Sequence, residues 1–528
     1  MIRSATRRIV AVVTAAAAIA ALGACASGTG ATSPIRLGWA GTIPPLDPAA
    51  SDSVASFAFL SQLYPSLLAV EPGEDEPVPE IAASAEWTED GVYTVTLKSG
   101  LTFANGDALT ASDVKFSIER QQALQSEDGA WRQLAILDSV EIVDDATVAF
   151  HVKTATDSRL PYVLAGPAGL VLDEEAYFAD ELTPDEDILD AQPFAGPYAL
   201  TDQRGDRLVL EPYTGFAGSQ PAVSTIELKP GDGADLGSQL SGGSLDAITG
   251  RLAADTIETL ADDEALMMTR AASGRTRMLA FDFDHMPFGT RTETPDAAKA
   301  LAIRVAIAQL VDREAIADSI GADWIQPLMG YLPDGVPGAT EVFATLYGAD
   351  TDQDPVELAT ATLAASAIEA PVALSIHVDL DQVGQPGSAE VAALAEQLDA
   401  SGLFDVTVVE TDAEGLETAR LSGETEAVFT SVLPANSDPA DYLEPFRTAG
   451  TLAPGFTDGD LDGLLNRRIG ELDPEVQAAT LLEIQNAVAA KLPAIPITQG
   501  VRVVFARAVI TGVSLDDSFP LDLTLLRR

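Results

Sequence analysis

Hydrophobic and polar residues alternate from Val92 to Leu97, with Tyr93, Val95 and Leu97 on one face and Val92, Thr94 and Thr96 on the other. A period of two predicts a half-buried strand. Thr147 to Val152 repeats the pattern through Val148, Phe150 and Val152. Between them Thr110 and Asp113 stand at capping-box spacing, with Leu109 and Val114 placed to pack as a staple. A helix running through Phe116 and Ile118 follows. A second helix is expected to open at Thr294, with Pro295 in its first turn, Asp296 favouring the positive end of the dipole, and an apolar stripe of Ala302, Ala306 and Leu310. A third opens at Asp473-Pro474, carries Val476, Ile484, Val488 and Leu492 at multiples of four, and stops at Pro493. The acid-rich stretches Glu174 to Asp190 and Asp350 to Asp354 read as surface connections. Strands and helices alternating irregularly over a long chain predict an α/β protein with mixed sheets.

The first residues follow a different logic. Arg3, Arg7 and Arg8 precede an uncharged run from Ile9 to Leu22, and Leu22-Gly23-Ala24-Cys25 follows. A basic start, a short apolar stretch and small residues describe a secretory signal, too short to span a membrane stably. The Leu-Gly-Ala-Cys sequence resembles the bacterial lipobox, and Cys25 is the only cysteine of the chain. We therefore expect residues 1–24 to be a signal peptide and Cys25 to carry a diacylglyceryl anchor. Residues 25–33 would be a small, polar tether. Double acylation holds a protein on a membrane, which places the body on the outer face of the cytoplasmic membrane.

Of 528 residues, 81 are acidic and 30 basic, a formal net charge of −51. Such a charge excludes nucleic acid as a partner, because phosphate contacts need clustered Lys and Arg. None of the six lysines follows a glycine, so no phosphate loop ending in Gly-Lys exists. The histidines are His151, His285 and His377, without the spacing of a zinc helix, and His151 is expected to be solvated. With three histidines and no Gly-x-Ser-x-Gly elbow, serine hydrolase chemistry has no support. Asp458, Asp460, Asp462 and Gly463 resemble the opening of a calcium loop, but the twelfth position is Ile469. A helix N-terminus is the better reading. No enzyme, cofactor or metal is expected.

One long run is more specific. Pro79-Glu80-Ile81-Ala82, Trp87, the strand Tyr93 to Leu97, Gly100-Leu101-Thr102-Phe103-Ala104-Asn105-Gly106 and Leu109-Thr110-Ala111-Ser112-Asp113-Val114 follow one another. Leu46-Asp47-Pro48, Phe194 to Tyr198, Gly243 to Asp246, Arg304 with Asp312-Arg313, Ser437-Asp438-Pro439 and Leu492 to Pro496 continue the order. Together they resemble the peptide/nickel (dipeptide- and oligopeptide-binding) family of bacterial extracytoplasmic solute-binding proteins, which feed ABC importers. The resemblance implies a two-lobed periplasmic-binding-protein type II fold, closing like a Venus flytrap, with an inserted subdomain. Lobe I would comprise 34–62, 195–276 and 497–528, the subdomain 63–194, and lobe II 277–496. The chain would cross between lobes near Arg277–Phe283 and Pro496–Val501. Its partners would be the solute and a permease with separate ATPases, and it would work as a monomer.

In such relatives an Asp in an "Ala-Asp-Tyr-x-Asp-Pro" segment holds the amino group of a peptide. The matching segment here is Pro434-Ala435-Asn436-Ser437-Asp438-Pro439, which puts Ala435 at the anchor. A shifted alignment would make Asp438 or Asp441 the anchor instead. The ligand contacts implied are Trp39, Gly41, Thr42, Arg275, Ser431, Val432, Leu433, Ala435, Asn436 and Asp438. Trp39 offers an indole for stacking or a core residue. Arg275 offers a fork for a carboxylate or a surface ion pair. An oligopeptide or modified peptide is the expected solute; a sugar, a metal chelate or a sensing role on the same fold are the alternatives.

Overall fold

The computed structural model describes residues 33–71, 76–204, 206–321, 324–347, 353–434, 436–448, 450–515 and 521–528. Cys25, the signal and most of the tether lie outside these residues, as does Ala435.

Eleven strands form one continuous sheet. From one edge the order is Phe404–Thr411, Val372–Asp379, Ala427–Val432, Leu266–Phe281, Ala494–Arg507, Ala247–Gly250, Ile35–Ala40, Ile226–Gly231, Arg207–Pro212 and Tyr198–Arg204. Ile325–Pro327 pairs with Ala494–Arg507 off this path. Each half has a parallel centre. Ile35–Ala40 runs parallel to both Ile226–Gly231 and Ala247–Gly250, and Val372–Asp379 runs parallel to both Phe404–Thr411 and Ala427–Val432.

Two long antiparallel strands, Leu266–Phe281 and Ala494–Arg507, join the halves. Residues 266–272 pair with 501–507, whose other edge holds Ala247 and Ile248. Residues 276–280 pair with 494–499, and 276–281 pair on their other side with 427–432. At the change of neighbour the register slips: Ser273, Gly274 and Arg275 stand opposite the single residue Gly500. Extra residues in one strand bend it and raise its twist.

The buried side chains separate accordingly. One apolar cluster draws only on residues 278–497, built around Phe281, Ile303, Ile307, Tyr331, Phe429 and Phe446. Two others draw on 35–64, 170–260 and 503–526. A fourth lies within 67–195, over the four-stranded sheet formed by Ala82–Glu89, Val92–Leu97, Thr147–Val152 and Leu137–Asp144.

Local signals account for most of these elements. Tyr93, Val95 and Leu97 are buried as the alternation predicts. Helix Ala111–Leu124 carries the full capping box, Asp113 accepting from the Thr110 amide at 2.8 Å. Its neighbours in the motif are structural too: the Glu80 carboxylate accepts the Ser66 amide at 2.7 Å, and Phe103 is buried. Asp458 caps helix Gly459–Ile469, as the helix reading of that acidic run requires.

Four expectations need correction. The second helix spans Ala297–Leu310, because the Asp296 carboxylate takes the cap itself, accepting from Ala298 and Lys299. Val476 is exposed, although Ile484, Val488 and Leu492 are buried; the first turn of Pro474–Lys491 projects past the core. The stretch 174–190 is more than a connection: it contains helix Asp185–Ala191, whose Ile188 is fully buried. His151 is half-buried, 3.2 Å from Glu141.

Candidate functional site

In open α/β sheets the free space for ligands lies beyond the carboxyl ends of parallel strands. Here three such ends converge on the strand crossing. Trp39 and Ala40 end one strand and continue into Gly41 and Thr42; Thr249 and Gly250 end the next and continue into Arg251; Ser431 is near the end of a third, followed by Leu433. The bulge residues Ser273, Gly274 and Arg275 close the base, with Arg502 and Val503 from the other crossing strand. Together with Asp52–Ala55, Ala58, Gln382, Leu515 and Leu521 they enclose a cavity of about 890 Å³. That size suits a small-molecule or short peptide site. Gly250 permits the close approach: its φ is +105°, and a Cβ there would stand 2.5 Å from the Ala40 carbonyl.

Trp39, Gly41, Thr42, Arg275, Ser431 and Leu433 are thus brought to one cavity. Trp39 lines the cavity and also packs on the core, its ring meeting Phe59 edge-on at 6.3 Å. Val432 and Asn436 are not in the lining. Val432 sits in the ladder, its carbonyl accepting from the Thr276 hydroxyl at 3.3 Å, and Asn436 accepts the Asp438 amide at 2.9 Å. Asp438 is a correction: it is fully buried, 2.7 Å from the Arg468 guanidinium, and caps the turn Pro439–Tyr442. Asp441 lies outside the lining as well. Burial, then the charges of Asp438 and Glu444, push its carboxyl up to about 8.

Sequence reasoning missed Arg251, Arg502, Asp52 and Gln382. The scarcity of basic residues draws attention to Arg251, just past a strand end, and to Arg502, inside a crossing strand, but no local pattern places either at the cavity. Among the described residues the charged lining is three arginines, Arg251, Arg275 and Arg502, against one carboxylate, Asp52. Arg275 is half-buried; Nη1 donates to the Ser431 hydroxyl at 3.0 Å. Burial first, then the neighbouring Arg277 and Arg251 charges, bring its pKa down to about 10. Arg277, two residues on, is paired at 2.9 Å with Glu390, which is fully buried and also accepts the Thr498 hydroxyl. Among the described residues no carboxylate pairs with Arg275 or Arg251.

A second bridge spans the molecule away from the cavity. The Ser158 amide donates to the Ile469 carbonyl at 2.9 Å, and the Thr156 hydroxyl to the Gly470 carbonyl at 2.9 Å. One cluster among the described residues, Asp113, Glu174 and Glu175, has its oxygens near one another. The Asp113 carboxylate is already committed to the Thr110 and Glu174 amides. No helix among the described residues is long and apolar enough to cross a membrane.

The family model for bacterial extracellular solute-binding proteins, family 5 Middle, matches residues 76–453. The peptide transport periplasmic protein SapA of Salmonella typhimurium is 24% identical over 501 residues, covering 88% of this chain and 86% of SapA. The ABC transporter substrate binding protein CtaP of Listeria monocytogenes superposes with a TM-score of 0.77 at 18% identity, over 94% of this chain and 99% of CtaP. A dipeptide binding protein from Pseudoalteromonas sp. SM9913, solved in complex with Met-Leu, gives 0.70 at 18%, over 93% and 100%. These likenesses fix the fold as the two-lobed periplasmic-binding-protein type II arrangement.

Proposed function

The chain belongs to family 5 of the bacterial extracellular solute-binding proteins, and from that premise we propose that it captures an oligopeptide or peptide-like solute between its lobes and delivers it to the permease of an ABC importer. The family is one of binding proteins, so the solute is held and released without chemistry. The observation that supports this reading is the position of the cavity: its walls come from both halves of the sheet, and its floor is the bulge where the strands cross. A solute there touches both lobes, and the closed arrangement gains contacts that the open one lacks. The names of SapA and of the Met-Leu complex favour a peptide.

In this reading lobe I is 34–62, 195–276 and 497–528, the subdomain is 63–194, and lobe II is 277–496. Trp39, Gly41, Thr42, Arg275, Ser431 and Leu433 contact the solute. Cys25 carries the lipid that keeps the monomer on the outer face of the cytoplasmic membrane, where tethering raises its encounters with the permease.

Small-angle scattering of the purified chain, with and without a pool of tri- to pentapeptides, tests the reading, with bound masses read by native mass spectrometry. A retained peptide and a smaller radius of gyration are expected. A chain that neither retains a peptide nor compacts would remove the peptide reading.

A further inference from the structure

Arginine is unevenly provided for in this molecule. The buried Arg277 has Glu390, the buried Arg468 has Asp438 and the buried Arg120 has Asp47 at 2.6 Å; the buried Arg304 and Arg313 are met by main-chain carbonyls and by the rings of Phe283 and Phe343. Arg275 faces the cavity, and its side-chain partner is a neutral hydroxyl, that of Ser431. A guanidinium presents five donors in a planar fork and one hydroxyl takes one of them. Its charged neighbours are Arg277 and Arg251, both cationic. Such a group is held in a poorly solvated place at a cost unless an anion meets it. The rest of the chain makes the contrast sharper: with 81 acids available, the described cavity lining sets Arg275 and Arg251, which no described carboxylate pairs, beside a single aspartate.

Resting on the binding reading above, we propose that the cavity selects a solute by an anionic group, a carboxylate of the solute seated on the fork of Arg275 with Arg251 beside it and Arg502 at the same wall. Asp52 is the one carboxylate in the described lining, and the acids of the 434–441 segment are placed elsewhere. Asp438 is spent on Arg468 and Asp441 stands outside the lining. A carboxylate bound bidentately by a guanidinium is a strong and directional contact, and it fixes the orientation of the solute against the crossing strands.

The test uses the purified chain with six probes in separate titrations: Ala-Ala-Ala, its C-terminal amide, its N-acetyl derivative, succinate, citrate and maltose. Calorimetry gives the affinity, and native mass spectrometry gives the bound mass. Carboxylate-bearing probes are expected to bind, the N-acetyl acid among them, and the amide to bind about tenfold or more weakly. Arg275→Gln is expected to weaken the acids by a similar factor and leave the amide unchanged. Arg251→Gln, at an exposed position that leaves folding intact, supplies the same comparison if Arg275→Gln does not fold. Amide or maltose binding as tightly as the acids overturns the inference. So does the failure of every carboxylate probe at millimolar concentration, or acid binding that neither substitution weakens. Binding of succinate or citrate alone keeps the anion seat and removes the peptide reading; binding of the amide alone does the reverse.

Discussion

The phenol of Tyr442 donates a 2.7 Å hydrogen bond to the main-chain carbonyl of Gly274, 168 residues away in sequence. Tyr442 belongs to the buried turn Pro439–Tyr442, whose cap is Asp438 and whose tie to the next helix is Arg468. Gly274 is the middle residue of the bulge at the strand crossing. This turn therefore braces the bend in the strand that carries Arg275.

Tyr442→Phe removes that donor and leaves a buried carbonyl unmet. A loss of about 1 kcal/mol in stability is expected, read by urea unfolding. Because the bulge positions Arg275, solute affinity should also fall, while a matched hydroxyl deletion far from the crossing, Tyr213→Phe, should leave affinity unchanged.

Glu390 is fully buried against Arg277 and Thr498 and links helix Leu380–Ala400 to both crossing strands. Glu390→Ala strands a buried guanidinium, for an expected cost of roughly 3–5 kcal/mol. The double variant Arg277→Met with Glu390→Leu should be far closer to the parent, because it removes both charges. Equal losses from the single and double variants would contradict this account of the pair.

Acid carboxyls shifted upward make stability depend on pH in a definite direction. Asp441 is pushed up to about 8, and burial pushes Glu80 up to about 7. Unfolded, both groups release their protons near pH 4. The folded chain therefore holds more protons than the unfolded chain between about pH 4 and 8, and its stability falls as pH rises through that window. Thermal unfolding between about pH 5 and pH 9 should show the decline, and Asp441→Asn should flatten it.

Cys25→Ser tests the anchor. The parent chain, expressed in a bacterium with its leader, should partition into detergent in a cloud-point separation and label with a radioactive fatty acid. The variant should do neither. A parent chain that stays in the aqueous phase would contradict the lipobox reading.

What the sequence made legible follows from how local each signal is. Thr110 and Asp113 act on one helical turn, and the alternation of Tyr93, Val95 and Leu97 needs only the strand that carries it. The start at Asp296 shows where local signals compete: Thr294 is a good cap by type, but the Asp296 carboxylate reaches two amides. The most recognisable run, from Pro79 to Ser117, builds the core over the four-stranded sheet and supplies no cavity lining. Arg251 was beyond reach for the opposite reason. Its place beside Ala40 comes from the parallel pairing of Ala247–Gly250 with Ile35–Ala40, joined across some two hundred residues of chain, and no pattern near position 251 announces it.

The slip of register at Ser273–Arg275 has a mechanical consequence. In a jaw worked from its rim, a cargo pulls the blades together at a distance from the axle. On the reading proposed above, Arg275 belongs to the axle itself, so a solute seated on it would act on the twist of the crossing strands. In a carrier of this build, opening the jaw and changing the twist of a two-stranded ribbon would be one motion.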